Sequence, residues 1–292
     1  MSRRLALLAN PRAAGGRALR VLAEATLELD RAGAEYRTVE TVSAEQAREQ
    51  ASAAAERSET VVAIGGDGLV GLLAGVLRGT DSALAILPAG RGNDLARVLR
   101  IPTDPRAAAR LALEGPERML DVGDVDGMPF VGIASLGFDS DANRIANDAK
   151  LVKGNLVYLY AALRALALWK PARFTVTVDG ERHEFTGYSV AVGNSKAYGG
   201  GMFLFPHAEL DDGRLEVLMM REYSKLRVLF DLPKVFKGKH VDNPNGTFLS
   251  GHTVEVSADR PFDVYADGDP VGRTPATVRV AKRVLRVIVP RS

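Results

Sequence analysis

Three times in the first 120 residues a short run of apolar or β-branched residues ends in a glycine- or proline-bearing loop and gives way to a helical pattern. Leu5 to Ala9 ends at Asn10-Pro11 and Gly15-Gly16, before Arg17 to Ala32. Thr60 to Ile64 ends at Gly65-Gly66-Asp67-Gly68, before Leu69 to Leu77. Ala83 to Leu87 ends at Pro88 and Gly90-Arg91-Gly92-Asn93, before Asp94 to Leu99. A fourth strand candidate, Tyr36 to Val39, precedes an Ala-rich helix former from Ser43 to Arg57, which Ser43 can cap. Apolar strands alternating with helices belong to a parallel sheet covered on both faces. The pattern predicts an N-terminal α/β domain over residues 1–122.

Near Leu120 to Gly127 the periodicity changes. Phe174, Val176 and Val178 alternate with Thr175 and Thr177, and Asp179-Gly180 supplies a hairpin turn. Val254 and Val256, then Phe262, Val264 and Ala266, then Val278 and Val280, repeat the period of two. Residues 123–283 therefore read as a β-rich, antiparallel, sandwich-like domain with two inserted helical stretches, 151–170 and 224–237. Pro233 is expected to interrupt any long helix in the second stretch. The last apolar run, Leu285 to Val289, can return to the first domain as a strand over 284–290. A chain of 292 residues is long enough for two cores of this kind.

Composition narrows the chemistry. A net charge of +2 gives no case for nucleic acid as a partner. Without cysteine there is no disulfide, thiolate nucleophile or thiolate metal site. Asn10-Pro11 cuts the run after Arg3-Arg4 too short for a signal peptide, so a buried first strand is expected. Leu156 to Trp169 is the most apolar segment, with one charge at Arg164, and falls short of a membrane span. It can wall a lipid tail or serve as a core helix. The expected location is the cytoplasm. Basic residues around Leu226, Leu229, Phe230 and Phe236 leave two readings open, peripheral membrane contact or a solvated helix face. His183, His207, His240 and His252 lack metal-ligand spacing.

The motifs lie where strands hand over to helices. Consecutive glycines let backbone approach a phosphate, and the following helix N-terminus points its N–H groups at the anion. Gly65, Gly66 and Gly68 fit that role, and Asp67 among them can hold magnesium through water. The alternative is a tight turn with a capping Asp. Gly90, Gly92, Asn93 and Asp94 repeat the arrangement after the next strand, and Asn10, Pro11 and Gly15 after the first. All three loops fall on the carboxyl edge of one parallel sheet, where open α/β sheets bind ligands. Neither a P-loop ending nor G-x-G-x-x-G is present.

On these residues, with Val192-Gly193-Asn194, Tyr198 to Met202, Leu210 to Leu215 and Asp267-Gly268-Asp269, the chain resembles the diacylglycerol kinase catalytic-domain family. That family comprises bacterial lipid kinases related to sphingosine kinases and, more distantly, to NAD kinases. The resemblance implies transfer of the γ-phosphoryl group of ATP, with Mg²⁺, to the hydroxyl of a lipid, diacylglycerol- or sphingoid-like. It implies that Asn10, Pro11, Gly15, Thr41, Gly65 to Leu69, and Gly90 to Asp94 line the nucleotide site. Asp67, Asp94 and Asp121 are the implied holders of the catalytic magnesium through water. Asp212, with the backbone carbonyls of Glu209 and Arg214, matches a structural metal site. Asp267 or Asp269 matches the general base. The implied partners are a lipid alcohol, a membrane surface met transiently, and a second copy of the chain.

The chain departs from the pattern in places. Leu69, Gly71 and Leu72 stand where the family carries Thr and then Asn-Glu, and Arg91 stands where it carries Thr. Asp269 replaces a Glu. Arg91 can bind phosphate as a planar multi-donor or close the site. Two rival functions follow: a small-molecule kinase of the NAD kinase type, and a non-catalytic lipid-binding regulator.

Overall fold

The computed structural model describes residues 3–11, 13–138, 140, 141, 145 and 164–291. Most of the expected helical stretch 151–170, with the start of the apolar segment Leu156 to Trp169, lies outside them.

Four strands, β1 (Leu5–Ala9), β2 (Tyr36–Glu40), β3 (Thr60–Gly65) and β4 (Ala83–Pro88), are parallel in the order β4-β3-β1-β2. Every residue of β1, β3 and β4 is buried. Their side chains alternate between two cores. Leu5, Leu7, Val62, Ile64, Ala85 and Leu87 meet helices α1 (Arg17–Arg31) and α5 (Pro105–Glu114) on one face. Ala6, Leu8, Val61, Ala63, Leu84 and Ile86 meet α2 (Ala44–Glu56), α3 (Asp67–Leu77) and α4 (Asp94–Val98) on the other. Both cores draw on the same strands, which is why no polar face appears in those runs. Ser43 caps α2, accepting the Gln46 N–H at 3.1 Å. Helix α5, not anticipated from the sequence, has an ordinary start signal: Asp104 accepts the Ala107 N–H at 2.8 Å and Pro105 opens the first turn.

The second half is antiparallel. Strands β7 (Ile133–Gly137), β8 (Ala172–Val178), β9 (Glu181–Gly193), β10 (Leu215–Arg221), β11 (Gly246–Gly251), β12 (Thr253–Ala258), β13 (Asp263–Ala266) and β14 (Asp269–Arg273) enclose an aromatic core. Asp179 and Gly180, with φ of 48° and 92°, close the β8–β9 hairpin. Phe174 is fully buried and stacks on Phe185 at 5.3 Å and Phe262 at 5.5 Å. Phe174→Ala is expected to cost about 3–5 kcal/mol, read as a lower urea midpoint at unchanged m-value. The second inserted helix, α6, is Lys225–Val235. It runs through Pro233 rather than stopping there, giving up the one i→i−4 bond that residue cannot donate, and ends two residues later.

Two long strands join the halves. β5 (Glu117–Val125) pairs along β15 (Ala276–Ile288), with β6 (Met128–Phe130) beside it. β15 pairs antiparallel with β12 at one end and parallel with β4 at the other, through Arg286↔Ala83 and Val287↔Leu84. The run Leu285 to Val289 thus largely forms the end of this longer strand. Among the described residues no helix is long and apolar enough to cross a membrane.

Candidate active site

The carboxyl ends of β1, β3 and β4 are in register, Ala9 beside Ile64 and Gly65 beside Pro88. Their loops therefore emerge side by side. The β3 and β4 loops pack backbone on backbone. A Cβ on Gly90 would lie 2.4 Å from the Gly66 Cα, and one on Gly92 would lie 2.6 Å from Asp67 Oδ2. Only glycine fits at either place.

Asp67 does not cap its own helix. Its Oδ2 accepts the Asn93 N–H at 2.9 Å and its Oδ1 the Asp94 N–H at 2.6 Å, so it caps α4 across the gap. Asn93, at φ 52°, folds its side chain back on Gly90: Oδ1 accepts the Gly90 N–H at 2.9 Å and Nδ2 donates to the Gly90 carbonyl at 3.1 Å. Arg17 donates to the same carbonyl at 3.1 Å. Arg91 is exposed on this loop. Thr41 is buried, with its Oγ1 3.3 Å from the Ala9 carbonyl, and supports the β1 end from below. Asn10, Pro11 and Gly15 lie at that same end, Gly15 in a positive-φ turn before α1.

The second domain closes the rim. Gly199, Gly200 and Gly201 all have positive φ, and this turn delivers the Gly200 N–H to Asp94 Oδ2 at 2.8 Å. Asp94 Oδ1 is buried and has no hydrogen-bond partner among the described residues. Burial, and then the charge of Asp67, raise the Asp94 pKa, against the lowering effect of the Gly200 N–H.

Asp267 reaches the same crevice from the β13–β14 turn, at φ 52°. Its Oδ2 accepts the Val131 N–H at 2.8 Å, and its Oδ1 accepts those of Gly132 and Ile133 at 2.9 and 3.1 Å. A Cβ on Gly132 would stand 2.4 Å from Oδ1, and one on Gly71 of α3 would stand 3.5 Å from Oδ2. Burial is the main cause that pushes Asp267 up to about 6, and the Asp67 charge adds to it. Asp269 is exposed.

Asp67, Asp94 and Asp267 are brought together. Asp121, expected in the same network, bonds elsewhere. Its Oδ1 accepts the Arg283 N–H at 2.7 Å, in the bulge of β15, and its Oδ2 the Gly213 N–H at 2.6 Å. Asn194 donates to the Asp121 carbonyl at 3.0 Å. These bonds tie the two halves of the sheet behind the rim. Asp212 is exposed, with Oδ1 on the Arg214 N–H at 2.9 Å, and Glu209 pairs with Lys196 at 3.1 Å. The Val131–Ile133 amides, the Gly200 N–H and Arg17 carry no role in the sequence expectations. A glycine triplet signals the second of these. Nothing local signals the amides, which serve through backbone alone.

Hard carboxylate oxygens at Asp67 and Asp94, one of them buried without a hydrogen-bond partner, fit a hydrated divalent cation. Glycine backbone and the first turn of α3 fit phosphate. The pieces thus suit phosphoryl transfer, in which positioning and charge neutralisation dominate.

Comparison with known proteins agrees. Residues 4–125 match the diacylglycerol kinase catalytic domain, and residues 132–289 match the YegS C-terminal NAD kinase beta sandwich-like domain. A diacylglycerol kinase of Mycobacterium tuberculosis (strain CDC 1551 / Oshkosh) is 34% identical, over 97% of this chain and 94% of that protein. One of Bacillus subtilis (strain 168) is 26% identical, over 92% and 91%. A crystal structure of a diacylglycerol kinase from Bacillus anthracis str. Sterne shares the fold, with a TM-score of 0.77 at 20% identity over 99% of this chain and 97% of that one. The chain therefore belongs to the diacylglycerol kinase catalytic-domain family and is a lipid kinase, a phosphotransferase with an alcohol group as acceptor.

Proposed function

We propose that the chain transfers the γ-phosphoryl group of ATP to a diacylglycerol-like lipid hydroxyl, with Asp267 as the base. Residues 1–122, with the returning strand 284–290, hold the nucleotide, and residues 123–283 bring the acceptor. The placement of Asp267 supports this reading. It comes from the second domain yet faces α3 and the glycine rim of the first. Its Oδ1 already accepts two N–H groups, while Oδ2 accepts one and keeps a lone pair for a substrate hydroxyl. Val131, Gly132 and Ile133 hold that carboxylate still. Gly71, without a side chain, leaves the space in front of Oδ2 open.

The β- and γ-phosphates lie on the Gly65 to Leu69 and Gly90 to Asp94 loops, with Asn10, Pro11, Gly15 and Thr41 below the nucleotide and Arg91 as a further donor. Asp67 and Asp94 hold Mg²⁺ through water, and Asp121 sets their frame by tying the sheet halves together. The ion, when bound, offsets charge that builds on the phosphate oxygens. A second cation belongs at Asp212 with the carbonyls of Glu209 and Arg214. Nearby Glu216 has a raised pKa, from burial and then from the Asp212 charge, against the lowering effects of the Ser250 hydrogen bond and the Arg214 charge.

The test is ADP release from ATP, Mg²⁺ and dispersed diacylglycerol as a function of pH. With its pKa near 6, Asp267 is a ready base above that value, so kcat/KM should fall about tenfold per unit below it. The raised value also makes the folded chain the better proton binder. This group's contribution to folding is full below 3.8 and lost as pH rises through about 6. No ADP release with any lipid alcohol would overturn the proposal, and stimulation by NAD alone would favour the rival kinase type.

A further inference from the structure

We propose that helix α6 and the turn after it dock this enzyme on an anionic lipid bilayer. The inference rests on the lipid-kinase reading and names the surface at which the acceptor is met.

Leu226 and Phe230 are four residues apart on α6 and share one face. Leu226 is 69% exposed, Phe230 77% and Phe236, just past the helix end, 50%. The other side of the helix is anchored. Val228 packs on the aromatic core, and Asp231 accepts from Asn243 at 3.2 Å. Lys225 donates to the carbonyls of Ala167 and Trp169 at 3.1 and 3.0 Å, which brings exposed Leu168 to the start of the same helix. Half of the large exposed hydrophobic side chains among the described residues, both aromatic ones included, thus gather on one surface.

Charge selects the occupant. Residues 221–242 hold six Lys or Arg against three Asp or Glu, a net +3 that exceeds the +2 of the whole chain. A like-charged surface repels a second copy and attracts anionic lipid phosphates. Arg227, Lys234 and Lys239 also converge on a cavity of about 210 Å³, shared with Asp231, Asp242 and His240. His240 is 2% exposed, and its Nδ1 is buried without a hydrogen-bond partner. Its Nε2 lies 2.9 Å from the Leu204 carbonyl and must donate there, so Nδ1 is an acceptor. Lys234 is paired with Asp231 at 2.7 Å, which leaves Arg227 and Lys239 as the cavity's cations for a lipid phosphate.

The surface is mechanically joined to the crevice. The Val235 carbonyl at the end of α6 accepts the Phe203 N–H at 3.1 Å. Phe203 follows the turn whose Gly200 N–H binds Asp94. A bilayer held on α6 is therefore held at a fixed position relative to the phosphoryl-transfer rim.

The experiment is co-sedimentation with phosphatidylcholine vesicles, with and without phosphatidylglycerol. The full chain should bind only the anionic vesicles and release with added salt. The double variant Leu226→Glu/Phe230→Glu should lose at least about tenfold in vesicle affinity. Lys234→Gln/Lys237→Gln/Lys239→Gln should lose about a hundredfold. Both should keep the wild-type melting temperature and the wild-type rate on a short-chain diacylglycerol in free solution. Anionic-vesicle binding that matches wild type in both variants overturns the proposal. So does equal wild-type binding to neutral vesicles, or a dimer that the Glu variants dissociate. Loss of turnover by the wild type on the dissolved acceptor would instead refute the kinase reading and leave the vesicle result legible.

Discussion

Asp267→Asn is expected to lower kcat by about 10²–10⁴-fold and to leave ATP affinity unchanged. The amide cannot accept a proton from the acceptor hydroxyl. The carboxylate sits across the crevice from the glycine loops and makes no hydrogen bond to them, so nucleotide binding has no reason to weaken. The acid limb near pH 6 should disappear with the residue that causes it. A structural cost accompanies the change. Both oxygens of Asp267 accept backbone N–H groups, so the Asn NH₂ must face at least one donor. That is worth about 1–3 kcal/mol of stability. A split between kcat and ATP affinity separates the two effects. If calorimetry showed ATP binding lost together with turnover, Asp267 would be a structural tie and the base would lie elsewhere.

Gly90→Ala should remove ATP binding and lower stability by about 1–3 kcal/mol or more. The new methyl group would fall 2.4 Å from the Gly66 Cα and 2.8 Å from Asn93 Oδ1. The first of these is backbone and cannot rotate aside, so the two phosphate loops must part. Their separation would also break the reach of Asp67 to the Asn93 and Asp94 N–H groups. Gly68→Ala is the control. Nothing lies within 4 Å of a Cβ there, and the residue is inside α3, so stability should hold or rise by about 0.5–1 kcal/mol. Equal melting curves for Gly90→Ala and wild type would refute the packing account.

Much of the first domain was legible because its signals are local. β1, β3 and β4 are buried throughout and apolar but for Thr60, and each stops at a loop whose glycines or prolines cannot continue it. Ser43 as a cap and Asp179-Gly180 as a hairpin turn act within three residues of themselves. The membership of Asp67, Asp94 and Asp267 in one constellation came from family resemblance, not from spacing. The use made of each was not legible. Asp67 caps a helix 26 residues away, and Asp121 reaches Gly213 and Arg283, 92 and 162 residues away. Such bonds depend on strand order, which period and propensity do not carry.

By itself the sequence determined that β1, β3 and β4 are strands and α1, α2 and α3 helices, and which loops glycine leaves open enough for phosphate, since these signals lie in neighbouring residues. Tertiary structure alone decided that Asp267 meets its three amides, that Asp121 ties the sheet instead of facing the rim, and that Asp269 points to solvent. These outcomes turn on contacts between residues far apart in the chain, and the pairing of β15 with β4, β5 and β12 brings the two halves together.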